Sequence, residues 1–401
     1  MKKRDLYLEK LIQFKDKPLI KVITGIRRCG KSTLLSLFNA YLMESGVPED
    51  HIIRMNFESF DFDQITSYQE LHAYISEKIT HRSEVHYLLL DEIQQVDAWE
   101  KVINSFLVDV RVDIYLTGSN ATLLSSELST LLSGRYVEIK MLPLSFREYL
   151  DFTKTDPQGD LLPAFNQYLE FGGLPIVVEL LDHPSTIGPF LEGIYNTVLM
   201  KDVVERNSIR DPALLESVLK YIAANAGSIV STKRISDYLT SSGRKTSSDT
   251  IDNYLKMLES AFIIYKAGRY DLKGKMFLKT LEKYYIVDTG IRNQLTGLRN
   301  TDYGHMLENI VYFELLRRGY AVSIGKIGSL EVDFVATSAS EKRYYQVSAT
   351  IHDETTRERE LRPLKAVPDN YPKILLTMDR TIYDDFAGIR VINIIDFLLE
   401  L

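Results

Sequence analysis

The sequence predicts an α/β protein whose N-terminal third forms a parallel sheet around a glycine-containing loop. Two observations favour this fold. Strand-like and helix-like segments alternate along that third, and the loop stands between one such strand and one such helix. With 401 residues, the chain is longer than a single hydrophobic core usually supports, so we expect two or three domains.

The loop is Gly25-Ile26-Arg27-Arg28-Cys29-Gly30-Lys31-Ser32-Thr33, which matches the spacing G-x-x-x-x-G-K-[ST]. Leu19–Thr24 before it has the pattern of a buried strand, and Thr33–Met43 after it has that of an apolar helix. Unpaired N–H groups in such a loop attract phosphate; Lys31 would reach the β- and γ-phosphates, and Ser32 would ligate Mg²⁺. A strand-to-helix turn without a ligand is the alternative. The predicted cofactors are ATP and Mg²⁺, and the predicted loop contacts are Gly25, Arg28, Cys29, Gly30, Lys31, Ser32 and Thr33.

The segments after the loop alternate between strand and helix, which predicts a parallel sheet covered on both faces. In the order strand, helix, strand, helix, strand, they are His51–Phe57, Ser67–Thr80, Val85–Asp91, Ala98–Val108 and Val112–Thr117. The second of these strands ends in two acids, Asp91 and Glu92. We expect Asp91 to hold Mg²⁺ through water and Glu92 to polarise the water that attacks the γ-phosphate.

Polar residues follow the last of these strands and precede a predicted fifth strand. Ser119 and Asn120 lie at the expected carboxyl edge of the sheet, where either can hydrogen-bond the γ-phosphate or the attacking water. Both are equally suited to cap a helix that begins near Ala121. Arg135, which follows Leu132-Ser133-Gly134, is suited to neutralise transition-state charge in its own chain or in a neighbouring one. A surface salt bridge is the alternative role for Arg135.

The middle of the chain has the pattern of three amphipathic helices followed by a β-hairpin, as in a winged helix. The helices are expected at Asp211–Ala224, Ser231–Thr240 and Ser247–Ala261, and the hairpin strands at Ile263–Tyr270 and Met276–Lys279.

This middle segment is basic, although the whole chain has a net charge of −7. Between Val230 and Lys283 there are eleven Lys and Arg residues against six Asp and Glu residues. DNA is therefore a candidate partner. The expected phosphate contacts are Arg244, Lys245, Lys273 and Lys275. Because the third helix exposes several acids, a role as a packing module or nucleotide lid is the alternative.

Together these motifs resemble those of a large bacterial and archaeal family of AAA+-like ATPases related to signalling ATPases. The residues that carry the resemblance are the phosphate loop, Leu90-Asp91-Glu92-Ile93-Gln94, Leu116-Thr117-Gly118-Ser119, Ser133-Gly134-Arg135 and Leu142-Pro143-Leu144-Ser145-Phe146-Arg147-Glu148-Tyr149. The resemblance covers nearly the whole chain. It implies that Ser119 acts as the first sensor and that Arg135 is a candidate arginine finger.

We expect the chain to divide into four parts, of which the resemblance implies the ATPase core, the winged helix and the nuclease-like domain. These are an ATPase core at residues 1–155, a helical lid at 156–208, a winged helix at 209–295 and a PD-(D/E)XK nuclease-like domain at 300–401. Within the lid, Gly172-Gly173-Leu174-Pro175 is similar to the Gly-x-Pro element of signalling ATPases, in which the proline packs on adenine. Gly173 and Pro175 thereby become candidate cofactor contacts, and a plain turn is the alternative.

The last hundred residues are expected to form a helix at Met306–Gly319, followed by strands at Ala321–Ile327, Leu330–Ala336 and Arg343–Ala349. This order of elements resembles the PD-(D/E)XK nuclease fold.

In the nuclease-like resemblance, Glu308 is the helix glutamate, and Asp333 and Gln346 fall at the two metal-ligand positions. Gln346-Val347-Ser348 stands where (D/E)-x-K belongs, so an amide replaces one carboxylate and the Ser348 hydroxyl replaces the lysine. We therefore predict a nuclease-like domain without activity. The alternatives are an active nuclease, with Lys326 or Arg343 supplying the missing cation, and an unrelated α/β domain.

Composition limits the remaining function classes. No apolar run is long enough to span a membrane, and the N-terminus lacks a signal-peptide core, so we expect a cytoplasmic protein without a membrane partner. The single cysteine, Cys29, cannot form an internal disulfide.

The leading prediction is a Mg²⁺-dependent ATPase, a candidate homo-oligomer, whose nucleotide state repositions the winged-helix and nuclease-like domains, with DNA as a candidate binding partner. One rival is a nucleotide-switched protein with slow turnover that recognises a partner or DNA; another is an ATP-regulated nuclease. Glu92 favours turnover, whereas the missing nuclease lysine favours recognition.

Overall fold

The chain divides into two units, each built on one sheet. The structure, a computed structural model, describes residues 2–79, 81–121, 134–297, 303–380 and 385–400. The first unit comprises Met1–Met141 together with Ser260–Phe262, and the second comprises Leu142–Glu259 together with Ile263–Leu401.

The first unit contains a five-stranded sheet in the order β2-β3-β4-β1-β5, and all its strand pairs are parallel. The strands are β1 Ile20–Thr24, β2 Ile52–Asn56, β3 His86–Asp91, β4 Val112–Gly118 and β5 Tyr136–Lys140. The helices are α1 Asp5–Gln13, α2 Lys31–Glu44, α3 Tyr68–Lys78 and α4 Trp99–Asp109, with 3₁₀ turns at Glu49–His51, Phe60–Phe62 and Ile93–Gln95. The predicted α/β fold with a parallel sheet is confirmed for this unit.

Burial explains why these segments form strands. Every residue of β1 and β3 is buried, as expected when helices cover a parallel sheet. Leu71 of α3 and Ile103 of α4 pack in the same core as Leu88 and Leu90 of β3. Because the strands run parallel, the ends of β1, β3 and β4 meet at one edge of the sheet, and the phosphate loop leaves from that edge.

The second unit contains a nine-stranded mixed sheet in the order β13-β14-β12-β11-β10-β9-β7-β8-β6. Its strands are β6 Ile229–Val230, β7 Ile264–Asp271, β8 Met276–Ile286, β9 Ala321–Ile327, β10 Leu330–Thr337, β11 Lys342–Ser348, β12 Lys373–Thr377, β13 Asp385–Phe386 and β14 Ile389–Asn393. Leu361 and Leu364, in the helix at residues 354–366, form a core with Val332, Tyr344 and Leu375 of this sheet.

Helices occupy much of the remaining chain. They are α5 Phe146–Thr153, α6 Leu162–Phe171, α7 Pro175–Glu179, α8 Ile187–Thr197, a π-helix Val198–Glu205, α9 Pro212–Ala224, α10 Thr232–Ser241, α11 Ser248–Ser260, α12 Thr289–Thr296, α13 Tyr303–Arg317, α14 Glu354–Ala366 and α15 Ile394–Leu399, with a 3₁₀ turn at Pro184–Thr186. Among the residues described, no helix is both long and apolar enough to cross a lipid bilayer.

The hairpin in the middle of the chain belongs to the same sheet as the C-terminal strands. Its first strand, β7, pairs with β8 on one side and with β9, in parallel, on the other. β8 continues to Ile286, beyond the predicted end at Lys279, because Lys283 and Tyr285 have buried partners. The winged helix and the four-part division at residues 155, 208 and 295–300 stay predictions.

Candidate functional site

The phosphate loop has the backbone shape that its two glycines allow. Gly25 has φ +151°, and a Cβ atom there would lie 2.2 Å from the carbonyl oxygen of Met141. Gly30 is left-handed, with φ +107°, and α2 begins at the next residue without a side-chain cap. The first N–H groups of α2 are therefore available to a ligand at the loop.

The Lys31 side chain lies inside this loop. Its Nζ donates hydrogen bonds to the carbonyl oxygens of Gly25 at 2.9 Å and Ile26 at 3.3 Å, and it lies 3.6 Å from Oε1 of Glu92. Ser32 and Thr33, by contrast, are exposed. The loop thus holds one buried cation next to two accessible hydroxyls.

Arg4 and Cys29 fix the far side of the loop. Nη1 of the buried Arg4 donates to the carbonyl oxygen of Cys29 at 3.0 Å. The Cys29 side chain is buried, and burial raises the pKa of its thiol. Arg28 is exposed, with φ +66°. The role of Arg4 was not evident from the sequence because its partner lies 25 residues away.

Asp91 ends β3 beside the loop and is bound by a threonine of the neighbouring strand. The Thr117 hydroxyl donates to the Asp91 carboxylate and accepts a hydrogen bond from the Glu92 N–H at 3.0 Å. Burial raises the pKa of Asp91, although hydrogen bonds from Thr117 and Ser32 oppose this effect. A buried carboxylate next to the Ser32 hydroxyl is an oxygen donor set suited to a bound cation.

Glu92 lies in the left-handed region at φ +55°, a conformation that costs free energy for a residue other than glycine. Burial by itself would raise the pKa of Glu92, but Lys31, and then Gln94, which donates to its carboxylate, bring the pKa below its usual value. Glu92 is therefore ionised at neutral pH. Gln94 and Thr117 could not be recognised as site residues from the sequence beyond their places in the motifs.

Ser119 and Asn120 are buried just after the end of β4. Among the described residues, the Ser119 Oγ has no partner with ordinary hydrogen-bond geometry, yet it is close enough to contribute to the low pKa of Glu92. Arg135 is exposed, and its carbonyl oxygen accepts from the Ile20 N–H at 2.8 Å. Residues 122–133, which include most of the expected helix after Ala121 and also Leu132 and Ser133, lie outside the described residues.

Gly173 and Pro175 belong to the second unit. The Gly173 N–H donates to Oδ2 of Asp288 at 2.7 Å, and its carbonyl oxygen accepts from the Leu144 N–H at 2.7 Å. Pro175 is the first residue of α7. Both have evident structural roles here, and their contact with adenine stays a prediction.

Asp333 and Gln346 are in contact in the second unit, and Lys283 joins Asp333 to Glu308. The nuclease-like fold stays a prediction. Gln346 Oε1 accepts from the Asp333 N–H at 3.3 Å, and Oδ2 of Asp333 accepts from the Val347 N–H at 2.9 Å. Ser348 points to another partner, since its hydroxyl donates to the carbonyl oxygen of Thr350 at 2.9 Å.

The cation beside these groups is Lys283 of β8. Its Nζ lies 2.9 Å from Oε1 of Glu308 and 3.9 Å from Oδ1 of Asp333. Arg343 instead pairs with Glu341 at 2.7 Å, and Lys326 makes no ion pair with Glu308 or Asp333. Lys283 was not predicted as a site residue because it lies in the segment expected to form the winged helix. The available signal was the two-residue spacing of Lys283 and Tyr285, which places both on one face of a strand.

Family comparisons agree with the fold and the loop of the first unit. Residues 17–150 match the family described as "AAA domain", and residues 162–302 match a "Domain of unknown function (DUF8612)". The match to an AAA domain includes the phosphate loop and the Asp91-Glu92 pair.

The whole chain has relatives at high coverage. It is 44% identical over 400 residues to an uncharacterized protein of Haemophilus influenzae. This match covers 99% of this chain and 98% of that protein. It is 32% identical over 367 residues to an uncharacterized protein of Methanocaldococcus jannaschii. This match covers 87% of this chain and 79% of that protein. The chain belongs to the family that includes these two proteins.

Among solved structures, the Walker-type ATPase of Pyrococcus abyssi has a similar fold. The TM-score is 0.53 at 18% identity, and the match covers 74% of this chain and 96% of that one. This likeness concerns the fold alone.

Proposed function

We propose that the protein is a Mg²⁺-dependent ATPase. The observation that carries the proposal is the convergence of Lys31, Ser32, Asp91 and Glu92 at the carboxyl edge of one parallel sheet. Transfer of a phosphoryl group to water requires a cation for the phosphates, a hydroxyl and a carboxylate for Mg²⁺, and a second carboxylate for the attacking water.

The loop supplies the phosphate site. Lys31 now donates to two neutral carbonyl oxygens of the loop, and phosphate oxygens would be stronger acceptors because they are charged. N–H groups of the loop and the first turn of α2 would complete the cradle. ATP binding thus exchanges two neutral contacts of Lys31 for charge-assisted ones.

Ser32 and Asp91 would hold Mg²⁺, which when bound neutralises charge on the β- and γ-phosphates. Thr117 fixes the orientation of Asp91 for this purpose. The ionised Glu92, whose N–H is held by the same threonine, would accept a hydrogen bond from water and direct it at the γ-phosphate. Ser119 and Asn120 lie at the end of β4, where a sensor of the γ-phosphate is expected.

Arg135 would act as an arginine finger for a second copy of the chain. Its exposure supports action in trans. Arg135→Ala should then slow hydrolysis without weakening ATP binding, and mixing it with Lys31→Ala should restore part of the activity. Absence of rescue in a demonstrated mixed oligomer would leave a cis or structural role.

The test of the ATPase proposal is ATP binding and hydrolysis by Lys31→Ala with and without Mg²⁺. We expect both to be lost or greatly reduced, because the phosphates lose their positioned cation. Lys140→Ala, a change at an exposed lysine on β5, is the matched control and should behave as wild type. Equal ATP affinity in wild type and Lys31→Ala would contradict the proposal.

A nucleotide-switched protein that binds DNA is the second candidate, favoured by the exposure of the four basic residues Arg244, Lys245, Lys273 and Lys275. Its DNA binding should be strongly salt-dependent and tolerant of sequence, since it rests on contacts with phosphates. Hydrolysis measured with and without DNA separates this candidate from a rapid ATPase. DNA affinity that survives replacement of all four residues by alanine would exclude this surface.

A further inference from the structure

Three carboxylates of the second unit surround the ammonium group of Lys283, which is only 4% exposed. Nζ lies 2.9 Å from Oε1 of Glu308, 3.0 Å from Oε1 of Glu331 and 3.9 Å from Oδ1 of Asp333. We call these four residues the Lys283 cluster. Nζ donates a hydrogen bond to Glu308, and the carboxylates of Glu331 and Asp333 place two further opposite charges within 4 Å of the ammonium group.

The surrounding elements fix this geometry. Lys283 comes from β8, Glu308 from α13, and Glu331 and Asp333 from β10. The Tyr285 hydroxyl donates to Oε1 of Glu308 at 2.6 Å.

Asn309 anchors α13 against β8 through two further hydrogen bonds. Its side chain bonds the N–H of Ile286 at 3.0 Å and the carbonyl oxygen of Ile286 at 2.8 Å. The carboxylate of Glu308 is therefore held in place against the lysine on the neighbouring strand.

The groups that would complete a metal site are engaged elsewhere. Both ends of the Gln346 amide are used, one by the Asp333 N–H and the other by Glu360 at 3.0 Å, and Ser348 donates to Thr350. Within the described residues, no three His, Cys, Asp or Glu side chains are grouped so that they could hold a metal ion. The divalent cation implied by the nuclease-like resemblance does not fit here, because an ammonium group takes the position between the carboxylates.

We infer that Lys283 is the resident cation of this cluster and takes the electrostatic place of a divalent ion. The second unit therefore folds without a metal ion at the cluster. Without the ammonium group, the buried carboxylates lack a counter-charge. The stability of such a variant should therefore depend on divalent cations, which the natural protein does not require at this cluster.

Thermal unfolding of the full chain without nucleotide tests this inference. Lys283→Met keeps most of the side-chain length and removes the charge, and we expect its melting temperature to fall by about 10 °C. Millimolar Mn²⁺ or Ca²⁺ should restore several degrees in this variant and no more than a trivial shift in wild type. Lys273→Met, at an exposed lysine of the hairpin turn, is the control and should match wild type under both conditions.

A double variant separates charge balance from packing. Lys283→Met combined with Glu308→Gln removes one charge of each sign, so it should be more stable than Lys283→Met and respond less to divalent cations. If Lys283→Met has the melting temperature of wild type in the presence of a chelator, the ammonium group does not balance the charge of this cluster.

Terbium luminescence keeps the inference testable if Lys283→Met does not fold. Wild type and Asp333→Asn should give the same signal, because the cluster takes up no ion in either protein. A wild-type signal that Asp333→Asn abolishes would show that the cluster holds a metal and would overturn the inference.

Discussion

Two buried lysines, Lys31 in the first unit and Lys283 in the second, stand beside carboxylates and differ in what else surrounds them. Lys31 donates to two backbone carbonyl oxygens and lies 3.6 Å from one carboxylate, with exposed hydroxyls next to it. Lys283 is enclosed by three carboxylates. The first lysine retains the capacity to bind an incoming anion, whereas the charge of the second is already satisfied.

The pKa values of the neighbouring acids differ between the two sites in the same way. Lys31 helps bring the pKa of Glu92 below its usual value, although burial acts in the opposite direction. At the Lys283 cluster, burial and the nearby Glu308 carboxylate raise the pKa of Asp333 well above its usual range, although Lys283 lowers it. At the first site one lysine faces one carboxylate, whereas at the second site one lysine is shared among three carboxylates.

The largest effect should come from Glu92→Gln, which tests whether the first site is organised for turnover. We expect ATP hydrolysis to slow by on the order of 10²-fold with ATP binding retained, because the amide no longer polarises water. Steady-state hydrolysis and nucleotide binding measure the two quantities. Glu58→Gln, at an exposed partner of Arg27, is the control. Unchanged turnover in Glu92→Gln would reassign the base.

A smaller effect is expected for Thr117→Val, which removes the hydroxyl that joins Asp91 to the Glu92 N–H. Loss of a hydrogen bond to a charged group costs about 1.5–3 kcal/mol, so hydrolysis should fall by roughly 10-fold or more. Thr377→Val changes another buried threonine at the end of a strand and serves as the control. If both variants hydrolyse ATP at the wild-type rate, Thr117 does not position the site.

The prediction for Asp288 extends the comparison to a buried acid without a lysine. Burial raises the pKa of Asp288 to about 6, while hydrogen bonds from backbone N–H groups, Gly173 first, act against the rise. Between about pH 4 and pH 6 the folded state therefore binds more protons than the unfolded state, and this group lowers stability as pH rises, by about 3 kcal/mol in total.

Asp288→Asn does not titrate, so it isolates this contribution. Its deficit in free energy of unfolding relative to wild type should be largest near pH 4 and shrink above pH 6. Urea unfolding of both proteins across this range measures the difference. A deficit that stays constant with pH would show that the carboxyl titrates normally.

The last prediction concerns DNA cleavage, for which we expect no activity. Because Lys283 occupies the centre of the nuclease-like cluster, we expect no cleavage of single- or double-stranded DNA with Mg²⁺ or Mn²⁺, with or without ATP. The assay includes Asp333→Ala as the matched variant. Cleavage by wild type that disappears in Asp333→Ala would show that this cluster supports catalysis and would overturn the prediction of an inactive domain.

The sequence was most informative where function and structure are local. The phosphate loop, the Asp91-Glu92 pair and the parallel sheet depend on contiguous segments with clear periodicity, and these parts of the fold could be predicted. Thr117 and Arg4 contact partners 26 and 25 residues away, and nothing in a local pattern specifies such pairings.

The second unit was harder for the same reason. Lys283 meets partners 25 to 50 residues further along the chain, and β7 pairs with β9 across a separation of more than 50 residues. The expected elements could be placed one by one, but the pairing of strands from two predicted domains depends on long-range burial that a single sequence does not display.

The pairing of β7 with β9 constrains how this chain can be cut or recombined. A break near residue 300 would separate the two strands and leave β7 with an unpaired edge, which is a template for aggregation. The hairpin and the C-terminal strands should therefore be kept together when segments are exchanged between relatives. A recombinant fragment that ends at residue 295 should be poorly soluble, whereas one that contains the whole of Leu142–Leu401 retains every strand of the sheet.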